Sequence, residues 1–444
     1  MNFHVNVRSL LSVLRPQGRI WLVVVAASWL ATTAGAAEHV IHISVDGLQA
    51  SGLQSLINAN QTPNFKRFQT EGAWTINART DYTHSITLPN HTSMLTGRPV
   101  TQPAGMPNTL HHGYTSNGDP SPSATLHNTG NLNVPYKAST FDVAHDAGLS
   151  TAHFASKSKF IIYEQSYNAT TGADHPNGRD KIDYFRAIEA TSSMQTDMLA
   201  ALEAQNFNYT FLHYADADDA GHGSGWGGTT WQNAVKTVDG YLGQLFNLVE
   251  SDPDLVGNTA IVLSADHGGT GTGHSDATNQ LNYTIPFMVW GAGVAHGDIY
   301  ALNATSRTNP GTSRITYTAA GQPIRNGDGG NLALSLLGLG SIPGSLINAA
   351  QDLRVAKPGD FNGDGTVDGE DLAELTADYG AATLASHADG DADGDRDVDG
   401  ADFLQWQRLV DAPGAVASVP EAANSCLIAI AACCLLFLSK TRLA

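Results

Sequence analysis

The chain has 444 residues, room for one large domain and a smaller one. Its formal net charge of −19, from 42 acidic against 23 basic residues, excludes a surface built to hold nucleic-acid phosphates. All three cysteines (Cys426, Cys433, Cys434) fall in one apolar stretch near the C-terminus, so disulfides and thiolate metal ligands are excluded from the rest.

Residues 1–37 read as an export signal. Arg8, Arg15 and Arg19 precede the apolar run Ile20 to Ala31, and Ala34-Gly35-Ala36 fits a small-residue cleavage site. The run is too short for a membrane span. Export sets the expectation of a cell-envelope, cell-surface or extracellular-matrix protein of a Gram-negative-type bacterium.

Residues 38–350 alternate short β-rich runs with longer helical ones. His39 to Val45, Thr151 to Ala155, Asn208 to Tyr214, Thr259 to Ser264 and Ile285 to Trp290 are predicted buried strands. Asp183 to Gln205 and Gln232 to Glu250 carry helical spacing. This rhythm predicts an α/β sandwich with a mostly parallel central sheet. In such sheets functional residues gather at the carboxyl ends of strands. Asp46, Asp218 and Asp266 each fall just beyond a predicted strand. Thr101 to Asn133, rich in Gly, Pro, Asn and Ser, is predicted to be a long surface loop shaping access. A second irregular stretch, Asn303 to Gly330, precedes a predicted helix at Asn331 to Leu337.

Residues 356–412 form an acidic module with an internal repeat. From Lys357 to Asp411 there are 15 Asp or Glu against 3 Lys or Arg, twelve of the nineteen net negative charges. Asp360, Asn362, Asp364, Asp368 and Asp371 recur, offset by 31, as Asp391, Asp393, Asp395, Asp399 and Asp402. Oxygen side chains at positions 1, 3, 5, 9 and 12 of a twelve-residue loop suit calcium. Gly365 holds the sharp-turn position in the first copy, where the second has Arg396. Helices are predicted at Leu372 to Tyr379 and Phe403 to Leu409. The module resembles dockerin domains, which implies an all-α fold, bound Ca2+ and a cell-surface or matrix partner. Residues 413–444 hold Val419-Pro420-Glu421, the apolar stretch Cys426 to Leu438, then Lys440 and Arg442. This resembles a bacterial Pro-Glu-Pro sorting signal, with Ala422 in place of the second Pro, and implies transient membrane association.

The body's chemistry rests on four clusters: Asp46 in VDG, Thr87 in TLPNH, Asp218 and His222 in DDAGH, and Asp266, His267 and His274 in DHGGTGTGH. Together they supply seven ligands, enough for two adjacent divalent cations with a hydroxyl between them. Pro89 favours the first turn of a helix, placing Thr87 near an N-terminus that stabilises anions. A threonine hydroxyl needs a cation to lower its pKa. Ser85 is the alternative nucleophile. Asp218 and His222, at i and i+4, share one helical face.

The order and motifs of these clusters, over roughly residues 39–350, resemble the alkaline phosphatase superfamily, and within it the type I phosphodiesterase/nucleotide pyrophosphatase family. The resemblance implies two zinc sites: Asp46, Thr87, Asp266 and His267 around one ion, Asp218, His222 and His274 around the other. His296 is the alternative for the seventh ligand. The stretch His112-Gly113-Tyr-Thr-Ser-Asn117 matches the family's phosphoryl-binding segment and implies that Asn117 binds substrate, with Asn108 as the alternative. Lys157 and Lys159 in FASKSKF are candidates to neutralise phosphate, Lys159 foremost. The implied reaction is hydrolysis of a phosphodiester or pyrophosphate through a phospho-threonine intermediate, on a small molecule, lipid or polymer. A phosphomonoesterase or phosphonate hydrolase of the same superfamily is the nearest alternative. A non-catalytic, calcium-dependent surface protein is the alternative of another class. A sulfatase is set aside, because Thr87-Leu-Pro-Asn-His lacks the convertible Cys or Ser and the Arg of that motif.

Overall fold

All seven residues of His39–Val45 are buried, the mark of a strand covered on both faces, and they form β1 at the centre of the sheet. The computed structural model describes residues 37–410, apart from 363–365, 383–384, 386 and 393–396. The expected export signal, apart from its last residue 37, and the expected sorting segment lie outside the described residues.

The other strands are β2 (Ala73–Arg79), β3 (Thr151–Ala155), β4 (Tyr184–Ala187), β5 (Tyr209–Tyr214), β6 (Thr259–Ser264), β7 (Thr284–Gly291) and β8 (Gly297–Asp298). They form one sheet in the order β4-β3-β5-β1-β6-β7-β2-β8. Pairing is parallel from β4 through β6, while β7 runs antiparallel to both β6 and β2. The mostly parallel α/β sheet expected from the sequence is therefore present.

The first helices are α1 (Ala50–Asn58), α2 (Pro63–Glu71), α3 (Thr87–Thr96), α4 (Leu126–Thr129), α5 (Thr140–Asp146) and α6 (Ile161–Tyr167). Then come α7 (Thr191–Ala204), α8 (Asp216–Ser224), α9 (Thr229–Ser251), α10 (Gln280–Tyr283), α11 (Ile299–Leu302) and α12 (Asp328–Leu336). The segment Asp183 to Gln205, expected to be one helix, splits into β4 and α7. Tyr184 and Phe185 pair with Ala152 and His153 of β3, because aromatic residues suit a half-buried edge strand better than a helix start. The 101–133 stretch is irregular apart from α4, as expected.

Register decides what lies beneath the site. His42 and Ser44 of β1 stand opposite Phe211 and His213 of β5, which stand opposite His153 and Ala155 of β3. Side chains two residues apart share a face, so one face carries all of these, and Asp46 continues it past the end of β1.

In the acidic module, α13 (Gly369–Ala377) and α14 (Gly400–Leu409) pack on a small core of Phe361, Leu375, Ala392 and Val398. Both helices start three residues earlier than expected. Asp368 and Asp399 act as N-caps in capping boxes with Asp371 and Asp402, which fix the first turn. Leu353 and Val355 are buried in the main core, and Asn303 exchanges two hydrogen bonds with the Arg354 backbone. The Arg354 guanidinium reaches the module, where it donates to the Asp391 carboxylate at 2.6 Å.

Candidate metal centre and active site

β1, β5 and β6 are neighbours at the centre of the sheet, so the turns at their carboxyl ends meet. Those turns carry Asp46, the start of α8 and Asp266. Gly47 makes the close approach possible. It holds φ +69°, and a Cβ there would lie 2.8 Å from the Asp218 Cα. Its N–H donates to Asp266 Oδ1 at 3.1 Å.

Two groups of ligand-type side chains converge: Asp46, Asp266 and His267, and Asp218, His222 and His274. The resemblance implies these same two sets of Asp and His, with Thr87 added to the first. His267 Nδ1 donates to the Gly268 carbonyl at 2.8 Å, so Nε2 carries only a lone pair. That lone pair faces Asp266 Oδ2 at 3.1 Å, Asp46 Oδ1 at 3.3 Å and Asp218 Oδ1 at 3.9 Å. All four atoms are buried without a hydrogen-bond donor. In the second group, His222 Nδ1 donates to the Thr272 carbonyl and His274 Nδ1 to the Ser85 carbonyl. Their Nε2 lone pairs then face each other at 3.1 Å, a repulsive contact rather than a hydrogen bond.

Acceptors crowded against acceptors fit a cation. Carboxylate and imidazole without thiolate match the zinc-type donor set.

The electrostatics agree. Burial alone raises the Asp46 carboxyl, but the Lys157 ammonium, the His213 hydrogen bond and nearby imidazoles hold it well below the usual carboxylate range. Burial, reinforced by the Asp46 charge, pushes Asp218 and Asp266 up. Burial also pushes the His267 imidazole far down and His213 down to about 4. Lys157, which the sequence offered only as a phosphate neutraliser, bonds Asp46 Oδ2 at 2.7 Å and Asp218 Oδ2 at 2.6 Å. One ammonium thus ties the two half-sites together. His213, invisible to motif reading, bonds Asp46 Oδ2 at 3.1 Å.

Thr87 is the first residue of α3, whose ten residues are all buried. Its carbonyl accepts from His91 Nδ1 at 2.8 Å, and that nitrogen lies 3.7 Å from Asp266 Oδ2, which puts the start of α3 beside the first group. The Asn90 side chain fixes this approach. It accepts from Asp81 N and Asn326 Nδ2 and donates to the His84 and Ile86 carbonyls.

Asn117 also comes to the helix start, where its Oδ1 accepts the Leu88 N–H at 2.9 Å. Lys159 Nζ lies 3.3 Å from the same Oδ1, and burial pushes its pKa down. Ser85 donates its hydroxyl to the His274 carbonyl, which occupies the alternative nucleophile. His296 bonds the Gln69 carbonyl, away from both groups, and the Asn108 backbone carbonyl accepts from Asn131 Nδ2. Trp226 forms a wall of the second group, its indole 5.2 Å from the His222 ring and 5.7 Å from His274, its Nε1 donating to the Gly47 carbonyl. A cleft of about 480 Å³ beside Glu71, Val249 and Trp290 opens by Thr259 at the start of β6, the opposite end of that strand from Asp266.

In the module, Asp371 accepts the Phe361, Asn362 and Asp368 N–H groups, and Asp402 accepts those of Ala392 and Asp399. The last Asp of each repeat thus ties its loop to its helix. Asp397, Asp399 and Asp402 come together as a third ligand-type group. Asp364, Asp393 and Asp395 lie outside the described residues.

A family model for type I phosphodiesterase / nucleotide pyrophosphatase matches residues 40–319. A GPI ethanolamine phosphate transferase 1 from Emericella nidulans is 32% identical over 115 residues, 26% of this chain and 12% of the relative. A 2,3-bisphosphoglycerate-independent phosphoglycerate mutase from Acaryochloris marina is 34% identical over 127 residues, 27% of this chain and 22% of the relative. The chain therefore spans less than a quarter of either curated relative. Among solved structures, alkaline phosphatase PafA aligns with TM-score 0.49 and 12% identity, covering 72% of this chain and 99% of that one. Murine ectonucleotide pyrophosphatase/phosphodiesterase 5 aligns with TM-score 0.38 and 18% identity, covering 52% and 57%. The family model spans more than half of the sequence and every cluster around the two ligand groups, and the chain belongs to the type I phosphodiesterase / nucleotide pyrophosphatase family.

Proposed function

We propose that this protein is an exported hydrolase of phosphodiester or pyrophosphate bonds that uses Thr87 as nucleophile. The observation that carries the reading is the bare His267 Nε2 ringed by three carboxylate oxygens, beside the N-terminus that begins with Thr87. Asp46, Thr87, Asp266 and His267 would hold one cation, and Asp218, His222 and His274 the other. When bound, the cations acidify a hydroxyl and neutralise phosphate charge.

The protein's own groups do the rest. The Thr87 oxygen attacks phosphorus as the ester oxygen departs, forming a phospho-threonine that water then hydrolyses. The N-terminus of α3 favours the negative charge gathered there. Asn117 and Lys159 orient the phosphoryl oxygens. The acidic module would take up Ca2+ and face a surface or matrix partner, and the C-terminal segment would associate transiently with the membrane.

A second reading, phosphomonoesterase, is favoured by one feature. Asn117 and Lys159 bring an amide and an ammonium together beside the start of α3, and a monoester presents a third terminal oxygen for them. Turnover of bis-p-nitrophenyl phosphate against p-nitrophenyl phosphate decides between them. A higher kcat/KM for the diester is expected, and a clear preference for the monoester overturns the first reading. Thr87→Ala should abolish turnover of both while the protein still takes up two cations. Residual turnover near wild type would remove Thr87 from the mechanism.

A further inference from the structure

His213 occupies an unusual place for a strand residue. It stands opposite Ser44 of β1 and Ala155 of β3, on the face that Asp46 extends. Its Nδ1 receives the Ser156 N–H at 3.4 Å, so the ring proton sits on Nε2 and points at Asp46 Oδ2, 3.1 Å away. Asp46 Oδ1 is thereby left without a hydrogen-bond partner, on the side facing His267 Nε2. The same histidine anchors the turn that carries Lys157. Ser156 Oγ donates to the His213 carbonyl and accepts the Ala215 N–H, locking residue 156 against the end of β5. Lys157, the next residue, then spans Asp46 and Asp218.

We propose that His213 is the positioning residue of the Asp46 half-site: its Nε2–H fixes Asp46 Oδ2, which turns Oδ1 toward the cation, and its Nδ1 and carbonyl hold the Ser156–Lys157 turn. The inference rests on the two-cation reading above. It assigns His213 no contact with substrate. A hydrogen-bonding partner that orients a metal-binding group typically changes metal affinity by about 10- to 100-fold when removed.

The packing around His213 makes a clean test available. Its ring lies 4.1 Å from Phe160 and 5.0 Å from His91, an aromatic nest that accepts a phenyl ring. His213→Phe keeps the packing and removes both nitrogens, while His213→Gln restores an amide N–H at a reach close to that of Nε2. Cobalt uptake by metal-stripped full-length protein is followed by visible absorption and by competition with a chelator. Wild type should bind two ions. His213→Phe should bind one ion as wild type does and the other at least about 10-fold more weakly, with His213→Gln recovering most of the difference.

Two ions bound by His213→Phe with wild-type affinity would overturn the proposal. So would equal weakening of both ions in both variants with a matching fall in melting temperature, which is the signature of a purely structural role. Wild-type protein that takes up no cobalt overturns the two-cation reading itself, and this inference with it.

Discussion

Asp266 and Asp218 sit in the protein with their carboxyl groups pushed up by burial and by Asp46, which couples cation binding to proton release at this site. The sign follows. A carboxyl raised above its unfolded value gives stability that is full at low pH and lost as pH rises through the folded value. Metal-stripped protein should therefore lose stability from these groups as pH climbs above about 4. Asp46, held low, acts in the opposite sense only below about pH 4. Added zinc should raise the melting temperature more at pH 8 than at pH 5, and its binding should release protons in calorimetry across buffers of different ionisation enthalpy. An equal shift at both pH values would contradict this.

Gly269 is a sharper steric case. A Cβ there would lie 2.1 Å from the Trp226 ring, so Gly269→Ala must push back the wall behind His222 and His274. A loss of about 1–3 kcal/mol of stability is expected from such overpacking, with weakened uptake of one cation. Urea unfolding and metal titration measure the two effects.

At the scale of elements, α3 works only because Asn90 docks it. Four polar partners, two of them fully buried, meet that one amide, so Asn90→Ala leaves several groups without partners and should cost about 2–4 kcal/mol. kcat should fall with it, since the start of α3 carries Thr87; unchanged urea midpoints would refute the docking role. Much of this was legible in the sequence. Pro89 two residues after Thr87 announced a helix start, and apolar runs ending at Asp46 and Asp266 announced strand ends. His213 and the strut formed by Lys157 were not legible. Their meaning depends on β5 lying beside β1, a neighbour relation between segments about 170 residues apart that spacing along the chain does not contain. β4 escaped for a different reason: four residues ahead of a strong helical pattern carry too little periodicity to stand apart from it.

Across the whole molecule, Arg354 is a residue of divided loyalty between the main body and the acidic module. The Arg354 backbone belongs to the body through Asn303, and its guanidinium belongs to the module through the buried Asp391. Arg354→Ala should leave the melting of the body and its turnover near wild type while limited proteolysis between residues 356 and 368 quickens several-fold. Unchanged cleavage would show that other contacts suffice. Asp46, Asp218 and Asp266 lie just past three adjacent central strands, which explains why their order along the chain is so regular. Each ligand turn is fixed by a fully buried strand, and the edge strands β4 and β8 can vary without touching it.

The Trp226 wall has an optical consequence. An indole set edge-on to two imidazoles, with ring centres 5.2 and 5.7 Å away, loses excited-state energy to them in a way that depends on what those rings bind. Of the chain's seven tryptophans, this one should brighten or dim as the His222 and His274 pair is filled. The difference in emission between wild type and Trp226→Phe is then a readout of that half-site alone, by light and without any added dye.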